Sequence, residues 1–373
     1  MDDEARATGL APAPDRHPKG HRRGRRSHYR HPGQERTGGS GADGLDVSGP
    51  TYAALDLGTN NCRLLVARAT RDSFRVIDAF SRIVRLGEGI TASGRLNEAA
   101  IVRAIEALRV CRAKMRNRGV TRSRLIATEA CRTAANGLDF LDRVRAEVGI
   151  DLEIVDRETE ARLAATGCTP LVDPQADGVI LFDIGGGSSE LVRLGPSRPT
   201  RHGPPHPEIR AWVSIPIGVV TLAERHGGIT VSREQFEAMI AEVAAHVDRF
   251  AAEHGGMDGL HMLGTSGTVT TIAGVYLDLP RYERRHVDGC WMSDEQVTGV
   301  VERLLGMSYE GRVANPCIGA ERADLVLAGC AILEAIRRAF PCERLRVADR
   351  GLREGMLVQM MRADGAWGSE AAS

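Results

Sequence analysis

Short apolar runs of strand length alternate with longer amphipathic stretches of helical length from residue 52 onward. Two regions share one plan, in which an apolar run ends in an Asp-x-Gly turn and a second apolar run follows. The first runs from Tyr52 through the turn at Asp56, and the second runs from residues 179–182 through Asp183 to Glu190. The plan is typical of a buried strand, a glycine turn and a returning strand. Strands that alternate with helices predict an α/β fold.

The other runs predict the remaining elements of both halves. Strands are expected at residues 74–81, 123–128, 152–155, 178–193 (the second hairpin), 211–216, 259–264 and 345–348. Helices are expected at residues 97–118, 131–148, 158–166, 232–253, 322–340 and 352–361, with a further helix from Ser293. The stretches that begin at Ser232 and Ser293 carry the Ser-x-x-Gln capping box of a helix N-terminus. Residues 196–208, rich in Pro, Arg and His, predict an exposed loop.

Because the strand-turn-strand plan occurs twice, we expect duplicated domains that face each other across a cleft. The predicted boundaries are 51–157 for the first domain, 158–351 for the second, about 352–362 for a final helix that packs back on the first domain, and 363–373 for a flexible tail. Residues 1–50 are expected to be disordered, since they hold too few apolar side chains to offset the entropy of ordering. Their basic stretch from Arg16 to Arg30 is interpreted as an arm for RNA or polyphosphate or, preferably, as a solvated tail.

The composition limits which binding partners and which cellular compartment are expected. The chain has 373 residues, of which 42% are hydrophobic, enough for two ordinary domains. Its formal net charge is zero, which gives no strong attraction to nucleic acid or to a membrane surface. The eight cysteines include no CxxC pair and fit reduced thiols better than disulfides or zinc ligands. We therefore expect a cytoplasmic protein with neither a signal peptide nor a transmembrane segment.

The second turn, from Asp183 to Glu190, carries the clearest chemistry. Its three successive glycines let the backbone approach a ligand closely, and their N–H groups can converge on an anion. An acid at the end of one strand and an acid at the start of the next add two carboxylates to the rim. The turn predicts a phosphate held by amides beside a metal ion or a water held by acids, although a tight hairpin with an exposed rim is the plainer interpretation.

A series of short motifs between residues 52 and 362 carries a more specific signal. The motifs are Asp56-Leu-Gly-Thr-Asn-Asn-Cys-Arg-Leu, Arg85-Leu-Gly-Glu-Gly, Ala127-Thr-Glu-Ala-Cys-Arg-Thr-Ala-Ala-Asn, Glu158-Thr-Glu-Ala-Arg-Leu, Asp183-Ile-Gly-Gly-Gly-Ser-Ser-Glu, Gly264-Thr-Ser-Gly-Thr, Arg322-Ala-Asp and Arg353-Glu-Gly. In this order they resemble the exopolyphosphatase and guanosine pentaphosphate phosphohydrolase family. The resemblance implies two ribonuclease H-like domains of the actin, sugar-kinase and heat-shock ATPase fold, in a short form without further C-terminal helical domains. The sequence departs from the family pattern at Arg157 and Thr159, where the family commonly has Gly and Glu.

The resemblance also implies roles for individual residues. Glu160 resembles the catalytic base that activates water, although an acid at a helix start also stabilises the helix dipole. The expected ligands of Mg²⁺, or of another divalent cation, are Asp56, Asp183 and Glu190. The residues expected to bind phosphate are Thr59, Asn60, Arg63, Arg132, Gly185, Gly186, Gly187, Ser188, Thr265, Ser266, Gly267 and Arg322. Among these, Arg132 and Arg322 are expected to lie in helices.

Three functions from different classes follow as hypotheses. The leading one is a hydrolase that releases the terminal phosphate of inorganic polyphosphate, of guanosine pentaphosphate or of both, by metal-assisted in-line attack of water. The alternative is a non-catalytic sensor that binds polyphosphate or an alarmone. A small-molecule kinase of the same fold is less favoured, because the motif around Glu160 fits water activation better. By analogy with the family, a homodimer is also expected.

Overall fold

The computed structural model describes residues 49–368. The predicted disorder of the first 50 residues, including the basic stretch at 16–30, falls on residues 1–48 and therefore lies outside the described part, as do the last five residues of the predicted C-terminal tail. The described residues belong to one compact unit. The predicted division of that unit into two domains near residue 157 stays a prediction.

Eleven strands and thirteen α-helices occur between residues 49 and 368. The strands are β1 (Tyr52–Leu57), β2 (Asn61–Ala69), β3 (Phe74–Ile83), β4 (Arg122–Ala127), β5 (Glu153–Ile154), β6 (Gly178–Ile184), β7 (Ser189–Leu194), β8 (Ile209–Ile215), β9 (Leu260–Thr265), β10 (Trp291–Ser293) and β11 (Arg344–Ala348). The helices are α1 (Ile90–Ser93), α2 (Glu98–Asn117), α3 (Glu129–Thr133), α4 (Gly137–Val148), α5 (Arg157–Cys168), α6 (Val219–His226), α7 (Arg233–His254), α8 (Ser266–Tyr276), α9 (Arg284–Val287), α10 (Asp294–Leu305), α11 (Tyr309–Ala314), α12 (Val326–Ala339) and α13 (Leu352–Ala363). The predicted capping boxes are confirmed at the starts of α7 and α10.

The strands form two mixed sheets with the same internal order. The first sheet is ordered β3-β2-β1-β4-β5 and the second β8-β7-β6-β9-β11-β10. In each sheet the two hairpin strands pair antiparallel with each other. The second hairpin strand also pairs antiparallel with an outer strand, and the first pairs parallel with the strand on its other side, which pairs parallel with the next. Strand β10 is an additional antiparallel edge of the second sheet. The predicted α/β fold with a duplicated plan is confirmed.

The first strand of each hairpin is buried along its length, because helices cover both faces of each sheet. In β1 and in β6 the one residue that is not fully buried is the aspartate near the carboxyl end, Asp56 and Asp183. Asp56 pairs in register with Arg63 of β2, and Asp183 pairs with Glu190 of β7. The duplication thus places one aspartate at the same point of each sheet.

Helix α13 packs on the first sheet, as predicted. Its residues Met356, Leu357 and Met361 share a buried cluster with Tyr52 and Leu65 of the first hairpin. Helix α13 also crosses α5 at very short range. A Cβ atom at Gly355 would lie 2.0 Å from the carbonyl oxygen of Leu163, and one at Gly167 would lie 1.9 Å from that of Gly351. Only glycines permit this crossing.

Three expectations differ from the structure in detail. The helix predicted at 131–148 is interrupted between α3 and α4, because the side chain of Asn136 exchanges two hydrogen bonds with the backbone of Leu96. Arg322 lies in the turn before α12 and not inside a helix. The loop 196–208 is only partly exposed, since Arg362 donates hydrogen bonds to the carbonyls of Pro204 and Pro205. No helix among residues 49–368 is long and apolar enough to cross a membrane.

Candidate active site

A cleft lies between the two sheets, at the carboxyl ends of β1 and β6, and holds about 150 Å³ of water-accessible space. Openings at the carboxyl ends of α/β sheets are where ligands ordinarily bind. Every predicted site residue except Arg132 lines the cleft. These residues are Asp56, Thr59, Asn60, Arg63, Glu160, Asp183, Gly185, Gly186, Gly187, Ser188, Glu190, Thr265, Ser266, Gly267 and Arg322.

The two hairpin turns touch each other on the floor of the cleft. Each is closed by one backbone hydrogen bond, from Gly58 N to Asn61 O and from Gly185 N to Ser188 O, both 2.9 Å long. A Cβ atom at Gly186 would lie only 2.9 Å from Cβ of Thr59. The glycines therefore serve a close approach between the two turns, and their amides border the same cleft.

Four buried or partly buried carboxylates line the cleft, those of Asp56, Glu160, Asp183 and Glu190. Burial raises the pKa of Asp183 to about 6 and also raises the pKa of Asp56, while the nearby Arg63 partly lowers both. Burial, reinforced by the charges of Glu160 and Asp183, raises the pKa of Glu190 well above its usual range. The hydroxyl of Ser214 donates a 2.9 Å hydrogen bond to Glu190. A cation bound among these acids would stabilise their charged forms.

The donor set fits a divalent cation that binds oxygen. No three Asp, Glu, His or Cys side chains among residues 49–368 form a complete protein-only metal site. Mg²⁺, however, is usually held by one or two carboxylates together with waters and substrate phosphates. The buried side-chain oxygens Oδ1 of Asn60 and of Asn61 have no hydrogen-bond partner within the protein. Unpaired buried oxygens beside desolvated acids match the needs of such an ion.

Glu160 lies in the first turn of α5, whose N-terminus is capped by Asp156 through a 2.7 Å hydrogen bond from Thr159 N. Its side chain is buried, and Nη1 of Arg132 lies 2.8 Å from its Oε2. That nitrogen is aligned with the carbonyl of Val155, so Oε2 accepts no well-directed hydrogen bond. Burial raises the pKa of Glu160 to about 7, with Arg132 opposing and the cleft aspartates adding to the shift. This carboxylate can accept a proton near neutral pH.

Arg132 lies in helix α3, as predicted. It was also predicted to bind phosphate, but its side chain does not line the cleft. Its guanidinium pairs with Glu129 as well as with Glu160. Glu129 in turn accepts a 2.7 Å hydrogen bond from Arg157. Glu129 and Arg157 were not predicted as site residues. The three-residue spacing of Glu129 and Arg132 signalled their pairing, whereas the contact with Arg157 depends on the fold.

The second side of the cleft is formed by the start of α8 and by the turn before α13. The hydroxyl of Thr265 donates to the carbonyl of Arg350, and that of Ser266 donates to the carbonyl of Ile184, so neither hydroxyl proton is free for a ligand. Helix α8 begins without a side-chain cap, and its first residues line the cleft, so its N-terminus suits an anion. Arg353 also lines this side and was not predicted, although it belongs to the Arg353-Glu-Gly motif.

Comparison with known proteins identifies the family of this chain. A sequence model of the Ppx/GppA phosphatase family matches residues 65–364. The guanosine-5'-triphosphate,3'-diphosphate pyrophosphatase of Aeromonas hydrophila is 28% identical over 315 residues, which cover 84% of this chain and 60% of that protein. A putative exopolyphosphatase of Haemophilus influenzae is 25% identical over 310 residues, which cover 83% of this chain and 90% of that protein. The chain thus spans about 60% of the length of the pyrophosphatase.

Solved structures agree with this match. The Ppx/GppA family member of Aquifex aeolicus has a TM-score of 0.69 at 27% identity, over 84% of this chain and 98% of that one. An exopolyphosphatase-like protein has a TM-score of 0.75 at 27% identity over the same shares. The fold, the paired glycine turns and the family match lead to one conclusion: the chain belongs to the Ppx/GppA phosphatase family.

Proposed function

We propose that the protein hydrolyses the terminal phosphoanhydride bond of inorganic polyphosphate or of guanosine pentaphosphate. One observation carries the proposal: the buried carboxylate of Glu160, whose pKa is raised to about 7, faces a cleft floored by two glycine turns. The names of the Aeromonas and Haemophilus relatives support the same substrate classes. Both substrates present a chain of phosphates whose end could lie against the turn amides.

Glu160 is the proposed base. It orients a water and accepts its proton as the water attacks the terminal phosphorus, a role that ordinarily contributes about 10²- to 10⁴-fold. The amides of Gly185 to Gly187, with Arg63 and Arg322, stabilise the charge that spreads over the phosphate oxygens. Arg132 keeps Glu160 oriented from behind the cleft. The shortened phosphate chain is the leaving group.

A divalent cation completes the proposed site. Asp183 would hold it directly or through water, with Asp56 and Glu190 beside it, and the ion would supply neutralisation of charge on the substrate phosphates. The raised pKa values of all three acids support this role, since burial removes these carboxylates from water and a bound cation would stabilise their charged forms. We further propose a reducing, cytoplasmic setting, which the eight free cysteines support.

The decisive experiment compares substrates under one assay. The purified protein is incubated with Mg²⁺ and long polyphosphate, guanosine pentaphosphate, or ATP with acceptor sugars, and inorganic phosphate and phosphorylated acceptors are measured. Phosphate release from either of the first two, abolished by a chelator and restored by Mg²⁺, is expected. Ligand binding without release would instead indicate a sensor, and acceptor phosphorylation would indicate a kinase.

A further inference from the structure

The loop that follows β3 joins the two sides of the cleft. Arg85 forms a two-pronged ion pair with Asp324, with both nitrogen–oxygen distances at 2.8 Å. The same guanidinium donates a 3.1 Å hydrogen bond to the carbonyl of Glu321. The amide of Gly89 donates a 2.7 Å hydrogen bond to Glu224 of α6. A loop from the first sheet is therefore tied at two points to the second half of the chain.

On its own side, this loop supports the first hairpin turn. The amides of Val84 and Arg85 donate to the carbonyl of Asn60 at 2.9 and 3.0 Å, and the amide of Gly87 donates to the carbonyl of Thr59 at 2.8 Å. A Cβ atom at Gly87 would lie 2.2 Å from Cγ2 of Thr59. A displacement of the loop must therefore displace the turn that borders the cleft.

On the opposite side, Asp324 belongs to a rigid turn. Arg312 is 2% exposed and donates a 3.0 Å hydrogen bond to the carbonyl of Ala323, while its other nitrogens bind further backbone carbonyls. A Cβ atom at Gly228 would lie 1.8 Å from the carbonyl oxygen of Asp324, so this backbone is packed tightly. Arg322, which lines the cleft, is two residues away on the same turn.

The backbone at Arg85 has a strained conformation. Its φ is 47°, and among residues 49–368 only Arg85, Ser266 and Asp278 have positive φ without being glycine. Glycine would adopt this conformation more easily. A strained position occupied by arginine therefore indicates that its side chain is needed, and that side chain binds Asp324 and the carbonyl of Glu321 on the opposite side.

We propose that Arg85 and Asp324 are positioning residues: their ion pair, the Arg85–Asp324 latch, holds the first glycine turn and the Arg322 turn at the separation at which both contact one phosphate chain. The inference rests on the proposed function, because it assigns the two turns to one substrate. Neither residue of the latch touches the reacting atoms. The latch is only partly exposed, with 31% of the Arg85 side chain and 24% of the Asp324 side chain accessible, so solvent screens it incompletely.

The test uses the full chain with Asp324→Asn, which removes the negative charge of the pair, and with Arg85→Lys, which keeps the positive charge but loses the two-pronged geometry. We expect KM for the phosphate substrate to rise about five-fold, as suits a partly exposed ion pair, with kcat within about two-fold of the wild type. The ratio of variant to wild-type KM should approach one as salt is raised. Glu302→Gln is the matched control, since it breaks a similar two-pronged pair with Arg233 that does not line the cleft.

Hydrogen exchange of the substrate-free protein provides a readout that does not depend on activity. In Asp324→Asn, but not in Glu302→Gln, the amides of Val84, Arg85 and Gly87 should exchange faster. If the wild type releases no phosphate while this exchange increases, the proposed function is wrong and the latch stands as a structural link. Unchanged exchange, or a fall in kcat with KM unaltered, would overturn the positioning role.

Discussion

Nη1 of Arg132 lies 2.8 Å from Oε2 of Glu160, while the same guanidinium pairs with Glu129. One arginine is thus shared between two buried acids, and Arg157 supplies Glu129 with a second cation. Burial raises the pKa of Glu160 to about 7, Arg132 only partly opposes this shift, and one oxygen of the carboxylate has no well-directed donor. The arrangement suits a base better than a static ion pair, and it leads to the first two predictions.

Replacement of Glu160 by Gln should lower kcat by about 10²- to 10⁴-fold, because the amide cannot accept a proton from the attacking water. Substrate affinity should change little, since the side chain keeps its size. Rates of phosphate release and equilibrium binding to the same substrate measure the two effects. Glu158→Gln is the control, because Glu158 is a partly exposed acid in the same helical turn and pairs with Arg162. Turnover near that of the wild type in Glu160→Gln would remove Glu160 from the mechanism.

The activity should fall as the pH is lowered through about 7, because burial raises the pKa of Glu160 to about 7 and the base must be deprotonated to act. On the acidic side, log(kcat/KM) should decline with a slope of about one per pH unit, the behaviour of a single ionisation. Arg132→Met removes a charge that lowers this pKa, so its acidic limb should shift to higher pH. A profile that is flat between about pH 5.5 and 8 would contradict this assignment.

Replacement of Gly186 by Ala should lower kcat/KM by about ten-fold or more, since a Cβ atom 2.9 Å from Cβ of Thr59 forces the two turns apart. The added Cβ also lies 3.1 Å from the backbone nitrogen of Asn60, so the turn must move as a unit, while the fold should persist because each sheet keeps its own buried core. Steady-state kinetics with circular dichroism separate these effects. Gly256→Ala, where an added Cβ meets nothing within 4 Å, is the control. Equal kinetics in the two variants would show that contact between the turns does not matter for activity.

Replacement of Gly167 by Ala should reduce the free energy of unfolding by about 3 kcal/mol, because its Cβ would lie 1.9 Å from a backbone oxygen of the neighbouring segment, which cannot move alone. Chemical denaturation measures this change. In contrast, Gly299→Ala in the exposed face of α10 should stabilise the protein by up to about 1 kcal/mol, since alanine favours helix and the site is open. Comparable stabilities would argue against a tight crossing of α5 and α13.

The sequence predicted the hairpins and most helices because those depend on local signals. Apolar runs that end in Asp-x-Gly define β1 and β6, and the serine of each capping box marks the start of α7 or α10. The motifs also placed every predicted site residue except Arg132 at the cleft, but they did not single out other lining residues such as Glu129 and Arg353. Arg132 instead pairs with Glu129 and Glu160, and the second of these contacts forms only in three dimensions.

The sequence contains no comparable signal for contacts between distant segments. The Arg85–Asp324 latch joins two motifs that were recognised separately, but nothing in either motif states that they meet. The same holds for the crossing of α5 and α13: Gly167 lies outside every motif, and the Arg353-Glu-Gly motif that contains Gly355 does not indicate which segment this glycine meets. Such pairings depend on how the sheets are placed, which periodicity along the chain does not encode.

The packing of α13 on the first sheet has a consequence for biosynthesis. Tyr52 and Leu65 are among the first core residues to leave the ribosome, yet the helix that covers them begins only at Leu352. Until then, one face of the first sheet exposes apolar surface that a chaperone can bind. The second sheet also lacks a strand, β11, until just before α13 is made, so both halves of the molecule are completed by the same C-terminal stretch.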